Sequence, residues 1–188
     1  MRFLKTPLNG AYVIELEKMG DERGFFSRLF CHNEFKNNGL DPKVVQANDS
    51  YSQEKGSIRG MHYQLSPKAE TKLVRCIRGS LYDVIIDLRS ESPTFKQWFG
   101  VELNAENRKM LFVPRGFAHG FQTLENDTEA FYLVSEFYAP KFERGIRWND
   151  PEFGIKWPTA PTTISDKDSS HPNFNAKYHL NMELTLQT

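Results

Sequence analysis

The chain has little cysteine and no surplus of either charge. Its 188 residues include only Cys31 and Cys76, far apart and outside any CxxC pattern, which argues against a disulfide scaffold or a cysteine zinc site. Lysine plus arginine equals aspartate plus glutamate at 24 each, so no global field draws the protein to nucleic acid or an anionic membrane. No apolar run approaches the ~18 residues of a membrane span, and the opening MRFLKTPLNG lacks the apolar segment of a signal peptide. A cytoplasmic protein is expected, with neither nucleic acid nor membrane as a partner. Internal repeats and low-complexity tracts are also missing.

What the chain does have is aromatics, 15 Phe, 7 Tyr and 3 Trp, which favours strands over disorder. AYVIELEK, Val44–Ser52, KLVRCIRGSLYDVIIDL, FKQWFGVELN, Met110–Val113, Phe117–Leu124 and Ala130–Phe137 all read as strands. An aromatic strand is expected over Phe25–Phe30 after the turn Asp21–Gly24, and a short helix over His32–Asn38. Roughly nine to eleven short strands punctuated by Gly and Pro predict an all-β antiparallel sandwich or jelly roll with a few short helices. Residues 1–188 are expected to form a single domain, with 170–188 peripheral and no structure assigned to the final stretch. The segment 138–163, rich in Pro, Trp and charge, is too long for an idle loop and is expected to bind or to pack over the barrel.

The stretch Gly56–Gly79, GSIRGMHYQLSPKAETKLVRCIRG, concentrates the chemistry. It matches the first metal motif of cupin barrels at Gly56 and His62, but Gln64 stands at the second His and Lys72 at the Glu. The second motif is present as Pro114-Arg-Gly116-Phe-Ala-His119. An ammonium cannot coordinate a cation until it loses its proton, so the residues predict a barrel in which Lys72 takes over from a metal. A fixed cation stabilises negative charge developing on oxygen, and a histidine is suited to act as a base near neutral pH. His62 and Lys72 together suggest proton removal alpha to a carbonyl, with Tyr132 a candidate for returning the proton and Asp168 for orienting His62. Arg23, Arg59 and Arg115 each lie beside a glycine, and guanidinium forks suit phosphate oxygens. Phe26 and Tyr138 are candidates for stacking on a base.

The blocks DERGFF (21–26), QANDSYSQEKGSIRGMHYQ (46–64), KLVRCIRGSLYDVIIDLR (72–89), VPRGFAHGF (113–121), FYAPKFERGIRWNDPEFGIKWP (137–158) and ISDKD (164–168) carry a close resemblance. The chain resembles the nucleotide-sugar 3,5-epimerases, typified by dTDP-4-dehydrorhamnose 3,5-epimerase, of the cupin superfamily. The resemblance implies a cofactor-free, metal-free jelly-roll homodimer with N-terminal segments exchanged between subunits. The implied reaction inverts C3 and C5 of dTDP-4-dehydro-6-deoxy-D-glucose on the way to L-rhamnose and surface polysaccharide. It also implies roles: His62 as base, Asp168 as its partner, Lys72 as cation at the C4 oxygen, Tyr132 as opposite-face acid and Asp83 as the anion holding Lys72. Arg23, Phe26, Gln46, Asn48, Arg59, Tyr138, Glu143 and Lys167 look like nucleotide and diphosphate contacts, Arg23 and Phe26 in the neighbouring subunit's pocket as one reading, and His119 is grouped with them. Relatives acting at C3 only or C5 only, or on another NDP-4-keto-6-deoxyhexose or a heptose, share this catalytic set. A metal-dependent cupin enzyme and a non-catalytic sugar-binding cupin are the readings from other classes.

Overall fold

The computed structural model describes residues 1–181. In chain order the strands are β1 (Arg2–Lys5), β2 (Tyr12–Glu15), β3 (Met19–Asp21), β4 (Gly24–Phe26), β5 (Gln46–Ser52), β6 (Ile58–Gln64) and β7 (Lys72–Arg78). They continue with β8 (Ser80–Asp87), β9 (Trp98–Asn104), β10 (Met110–Val113), β11 (Phe117–Thr123), β12 (Thr128–Val134) and β13 (Glu143–Gly145). The helices are short: α1 (His32–Asn37), α2 (Asp166–Ser169) and α3 (Ala176–His179).

A six-stranded sheet in the order β1-β2-β10-β7-β12-β5 faces a five-stranded sheet in the order β13-β6-β11-β8-β9. Every ladder in them is antiparallel. This is the expected antiparallel β-sandwich of jelly-roll type. The period of two explains the layering. On β8, Leu81 and Ile85 enter the core between the sheets, whereas Val84 and Ile86 join a second core on the outer face. Leu111 and Val113 of β10 also turn inward, while Met110 and Phe112 pack outward against Phe35 of α1. The inter-sheet core of Val74, Cys76, Leu81, Ile85, Leu103, Leu111, Phe121 and Ala130 is almost fully buried. Each large aliphatic side chain there contributes about 1.5–3 kcal/mol by leaving water.

The segment 138–163 packs over the barrel. β13 adds an edge to β6, Trp157 donates its indole N–H to the Trp148 carbonyl (2.9 Å), and Phe153, Ile155 and Trp157 seal the outer core of the five-stranded sheet. Within the stretch 170–188, expected to be peripheral, the described residues 170–181 differ from that expectation. Residues 182–188 lie outside the described residues, but Phe174 and Leu180 pack on that same outer core, and the wholly buried His179 gives its carbonyl to the Tyr63 hydroxyl. Polar spacing hid this, because the apolar contacts are single residues in a non-periodic run. The aromatic strand expected over Phe25–Phe30 also differs. Pairing stops at Phe26, and Phe30 turns in to meet Phe35 at 4.9 Å between ring centroids.

Candidate active site

Alternation assembles the site. In the ladder between β12 and β5, Tyr132 stands opposite Asn48, and Val134 opposite Gln46. Tyr132 packs against the inter-sheet core, so its side of the strand is the inner one. Gln46, Asn48 and Ser50 therefore share one inner face, as their spacing predicts. Lys72 lies opposite Val134 on the other flank of β12. From the facing sheet, β6 supplies His62, directly opposite His119 of β11.

His62, Lys72 and Tyr132 line two adjoining lobes of one cavity. The first, about 180 Å³, also has Gln46, Asn48, Gln64, Glu70, Tyr138 and Glu143 in its wall. The second, about 300 Å³, adds Ser50, Arg59, His119, Phe121, Lys167 and Asp168. Lysine, histidine and phenol meet here on walls that mix amides and aromatics with carboxylates and the cations Arg59 and Lys167.

Asp168 reaches this cavity from α2, a single helical turn whose N-cap, Ser165, accepts the Asp168 N–H (3.1 Å). The Asp168 carboxylate is 5% exposed. Its Oδ1 lies 2.7 Å from His62 Nε2, and its Oδ2 accepts the Gly60 N–H at 3.0 Å. Burial alone would raise the carboxyl pKa, but the His171 and His62 imidazoles and the Gly60 N–H outweigh it and hold the group well below the usual carboxylate range. An ionised Asp168 fixes the tautomer. The proton of a neutral His62 sits on Nε2, and the Nδ1 lone pair is left free to accept another.

Gly60 makes this contact possible. Its φ of +125° belongs to glycine, and a Cβ there would stand 2.5 Å from the Gly120 Cα and 2.8 Å from the His119 carbonyl oxygen. Gly60→Ala is expected to cost about 2–4 kcal/mol, from backbone strain plus overpacking. Urea denaturation measures it, and an unchanged midpoint would contradict the tight packing between β6 and β11.

Lys72 is held with its side chain 12% exposed, its ammonium donating to the His62 carbonyl (3.3 Å) and lying 3.4 Å from Glu70 Oε1. This corrects the expectation that Asp83 is its anion. Asp83 Oδ1 is 2.7 Å from His119 Nε2, and its Oδ2 is buried without a hydrogen-bond partner. The register between β8 and β11 is the cause. It sets Asp83 across from Phe121 and diagonally beside His119, within the same sheet, while Lys72 belongs to the opposite one. Glu70 was missed by sequence reasoning. It lies two residues before Lys72, and running the strand alternation back past Lys72 would have placed both on one face.

Tyr132 is half-buried. Burial raises its phenol above the ordinary value, Arg59 pulls the other way, and Glu70 adds to the rise, so the group is a protonated donor at neutral pH. At the mouth, Glu143 joins Tyr138 (hydroxyl to Oε2, 2.8 Å) and Lys167 (Nζ to Oε1, 2.6 Å). Burial pushes Glu143 up, and those two hydrogen bonds more than offset it. Gln46 Oε1 accepts the Tyr138 N–H at 3.0 Å, and Arg59 is steered by Ser52 Oγ and the Tyr51 carbonyl.

Three candidate residues lie outside both lobes. Arg23 and Phe26 sit on the β3–β4 hairpin, outside both lobes, with Phe26 60% exposed and Arg23 paired to Asp21. Arg115 binds Asp41 (2.7 Å) in a separate depression lined by Gly10, Tyr12 and Pro114. Of the three glycine-flanked arginines only Arg59 lines this cavity.

The four cupin ligand positions do not form a metal set. His119 is engaged by Asp83, Lys72 is a cation, and the Gln64 side chain is spanned by the Lys68 carbonyl (2.8 Å) and the Ala139 N–H (2.5 Å). A cavity with a carboxylate-oriented imidazole, a sequestered ammonium and a buried phenol defines a jelly-roll enzyme of the acid–base kind.

A family model for dTDP-4-dehydrorhamnose 3,5-epimerase matches residues 5–176. A Sinorhizobium fredii protein described as dTDP-4-dehydrorhamnose 3,5-epimerase is 45% identical over 174 residues, covering 92% of this chain and 89% of its own length. The crystal structure of dTDP-4-dehydrorhamnose 3,5-epimerase from Bacillus anthracis with TDP and PPi bound superposes with a TM-score of 0.88 at 44% identity, over 92% of this chain and 99% of the other. A Legionella pneumophila dTDP-6-deoxy-D-glucose-3,5-epimerase in complex with dTDP-4-keto-L-rhamnose gives 0.85 at 38% identity, over 92% of each chain. The chain belongs to the dTDP-4-dehydrorhamnose 3,5-epimerase family, a family of isomerases.

Proposed function

We propose that this protein inverts C3 and C5 of dTDP-4-dehydro-6-deoxy-D-glucose, giving dTDP-4-dehydro-L-rhamnose. The carrying observation is that His62 and Tyr132 stand on facing sheets across one cavity, with Lys72, on the strand beside that of Tyr132, also in both lobe walls. Inversion needs a proton taken from one face of the sugar and returned to the other, and two groups on opposite walls supply both directions. His62 Nδ1 removes the proton alpha to the C4 ketone. The electron pair moves into the carbonyl, and the resulting enolate oxygen is stabilised by the Lys72 ammonium. Tyr132 donates its phenolic proton to the opposite face; His62 then loses its proton to solvent and Tyr132 regains one from solvent, and the sequence is repeated at the second carbon. Asp168 keeps the His62 tautomer fixed throughout, and it steadies the imidazolium once His62 is protonated.

Arg59 and Lys167 flank the second lobe and are assigned to the diphosphate, with Gln46, Asn48, Tyr138 and Glu143 toward the nucleoside. His119, locked to Asp83, shapes the sugar pocket. The exposed hairpin carrying Met19, Phe25 and Phe26 (62%, 43% and 60% exposed) suits insertion into a second copy of the chain, where Arg23 and Phe26 would complete the neighbour's nucleotide site in a homodimer. Chain 1–188 then acts as one domain. No described helix is long and apolar enough to cross a membrane, which agrees with a cytoplasmic role supplying a deoxysugar nucleotide.

Proton NMR in D2O tests the reading. Deuterium entering C3 and C5, with dTDP-L-rhamnose trapped by an NADPH-dependent reductase, is the expected result. Deuterium at one carbon alone would make the protein a C3- or C5-epimerase, and none on any nucleotide sugar would leave a binding module. Tyr132→Phe separates the two proton transfers. Exchange at C3 requires only the base and the enolate-stabilising cation, so it should fall less than about tenfold, whereas C5 inversion should fall about 10²-fold for loss of the acid. Equal losses at both carbons would assign Tyr132 a different role.

A further inference from the structure

His171 has no part in the proton transfers above, yet it is placed with care. Its ring packs edge-on against His62, with centroids 5.5 Å apart and planes at 82°. It also occupies the space over Gly145, where any Cβ would come within 2.2 Å of the imidazole. Its Nε2 is buried without a hydrogen-bond partner and points at Asp168 Oδ1 from 3.6 Å, beyond hydrogen-bond reach. The contact is the electrostatic one that helps hold Asp168 ionised, and it leaves the nitrogen's hydrogen-bonding capacity unfilled beside an anion. Among the described residues, His62, Asp168 and His171 are the one group of three potential ligands whose donor atoms lie within 4.8 Å of one another.

We propose that His62 Nε2, Asp168 Oδ1 and His171 Nε2 form a binding site for a divalent transition ion of the zinc type, and that occupancy switches the base off. Two imidazoles and a carboxylate are a common zinc donor set, with a fourth position left for water. Bonds of about 2.0–2.1 Å in tetrahedral geometry set donors about 3.3 Å apart. The observed 2.7 Å from Asp168 to His62 and 3.6 Å from Asp168 to His171 bracket that spacing, and the third edge, between the two imidazoles, is within 4.8 Å, so side-chain adjustment brings the three donors onto the ion. These ligands are separate from the cupin positions, of which only His62 is shared.

The inhibition follows from the imidazole's two nitrogens. An ion on Nε2 of a neutral His62 moves the ring proton to Nδ1. The lone pair that would accept the sugar proton is then gone. The ion thus blocks His62 without entering the sugar lobe. This consequence, though not the binding itself, rests on His62 being the base.

The test uses tag-free protein titrated with cobalt(II) chloride, which reports tetrahedral nitrogen–oxygen coordination by an intense visible band. One equivalent should bind. Zinc should displace it, deuterium exchange should cease on loading, and a chelator should restore it. His171→Asn, folded by circular dichroism, should bind cobalt at least about tenfold more weakly. Its ratio of exchange rates with and without metal should move toward one. No tetrahedral band, or the same affinity in His171→Asn, would overturn the site. Should that variant not fold, zinc-edge absorption on the native protein still decides, with two imidazoles expected and fewer than two refuting. Cobalt bound stoichiometrically with exchange undiminished would sink the inhibition alone. A bound tetrahedral ion in a protein that never exchanges deuterium would keep the site and refute the proposed function instead.

Discussion

His62→Ala removes exchange of solvent deuterium at both C3 and C5, with kcat falling by about 10³–10⁴, the upper end for loss of a general base. Both carbons are affected because His62 lines both lobes of the sugar pocket with a carboxylate-oriented imidazole, whereas His119, held in the same way by Asp83, lines only the second lobe and is 8% exposed. The fold should survive. His62 keeps 31% of its side chain exposed, so truncation leaves little cavity, and Asp168 retains the Gly60 N–H. His62→Asn offers a control that preserves a donor to Asp168 without restoring a base, and it should be equally inactive. Turnover above about 1% of native in His62→Ala, beyond what loss of a general base leaves, would mean that another group takes the proton. Single-turnover exchange in D2O reads this directly.

Lys72→Met, close in shape, lowers kcat by about 10²–10³, the usual size of a lost oxyanion donor. This substitution also acts on stability, because Glu70 loses its only cationic partner among the described residues, in a nearly dry site; both side chains are about nine-tenths buried. Stranding a buried carboxylate costs about 3–5 kcal/mol, so a slow enzyme and an unfolded one need to be told apart. Glu70→Gln combined with Lys72→Met does so. Removing both charges should recover most of the denaturation midpoint and none of the rate. If the double variant regained turnover, Lys72 would be a structural counter-ion and the enolate would have another stabiliser.

How much of this was legible beforehand follows from the period of two. Alternation assigns Gln46, Asn48 and Ser50 to one face, and it puts Tyr132 and Lys72 on inner faces without knowledge of the fold. The jelly-roll class follows from many short strands cut by Gly and Pro. Which neighbour a side chain chooses is a different matter. Asp83, His119 and Lys72 all point inward, but only strand register shows that the carboxylate pairs with the imidazole of its own sheet. Glu70 escaped notice because it precedes the ordered strand. Residues 171–181 defeat pattern reading altogether: His171, Phe174 and His179 each make an isolated contact, and such contacts leave no periodic trace. The Asp168–His62 pairing, 106 residues apart in sequence, came from resemblance and chemical suitability, since no local signal joins a strand to a one-turn helix so distant.

The proposed base, His62, and the proposed acid, Tyr132, are bolted to different sheets, and between those sheets lies the apolar core. Phe121 belongs to both, packing in that core and forming part of the cavity wall. The core is therefore a spacer gauge for stereochemistry. Thinning or thickening it changes the gap that a proton must cross on the return stroke, while the local surroundings of His62 and Lys72 stay as they are. Handedness of the product is in that sense a mechanical property of the sandwich, tunable from residues that never meet the sugar.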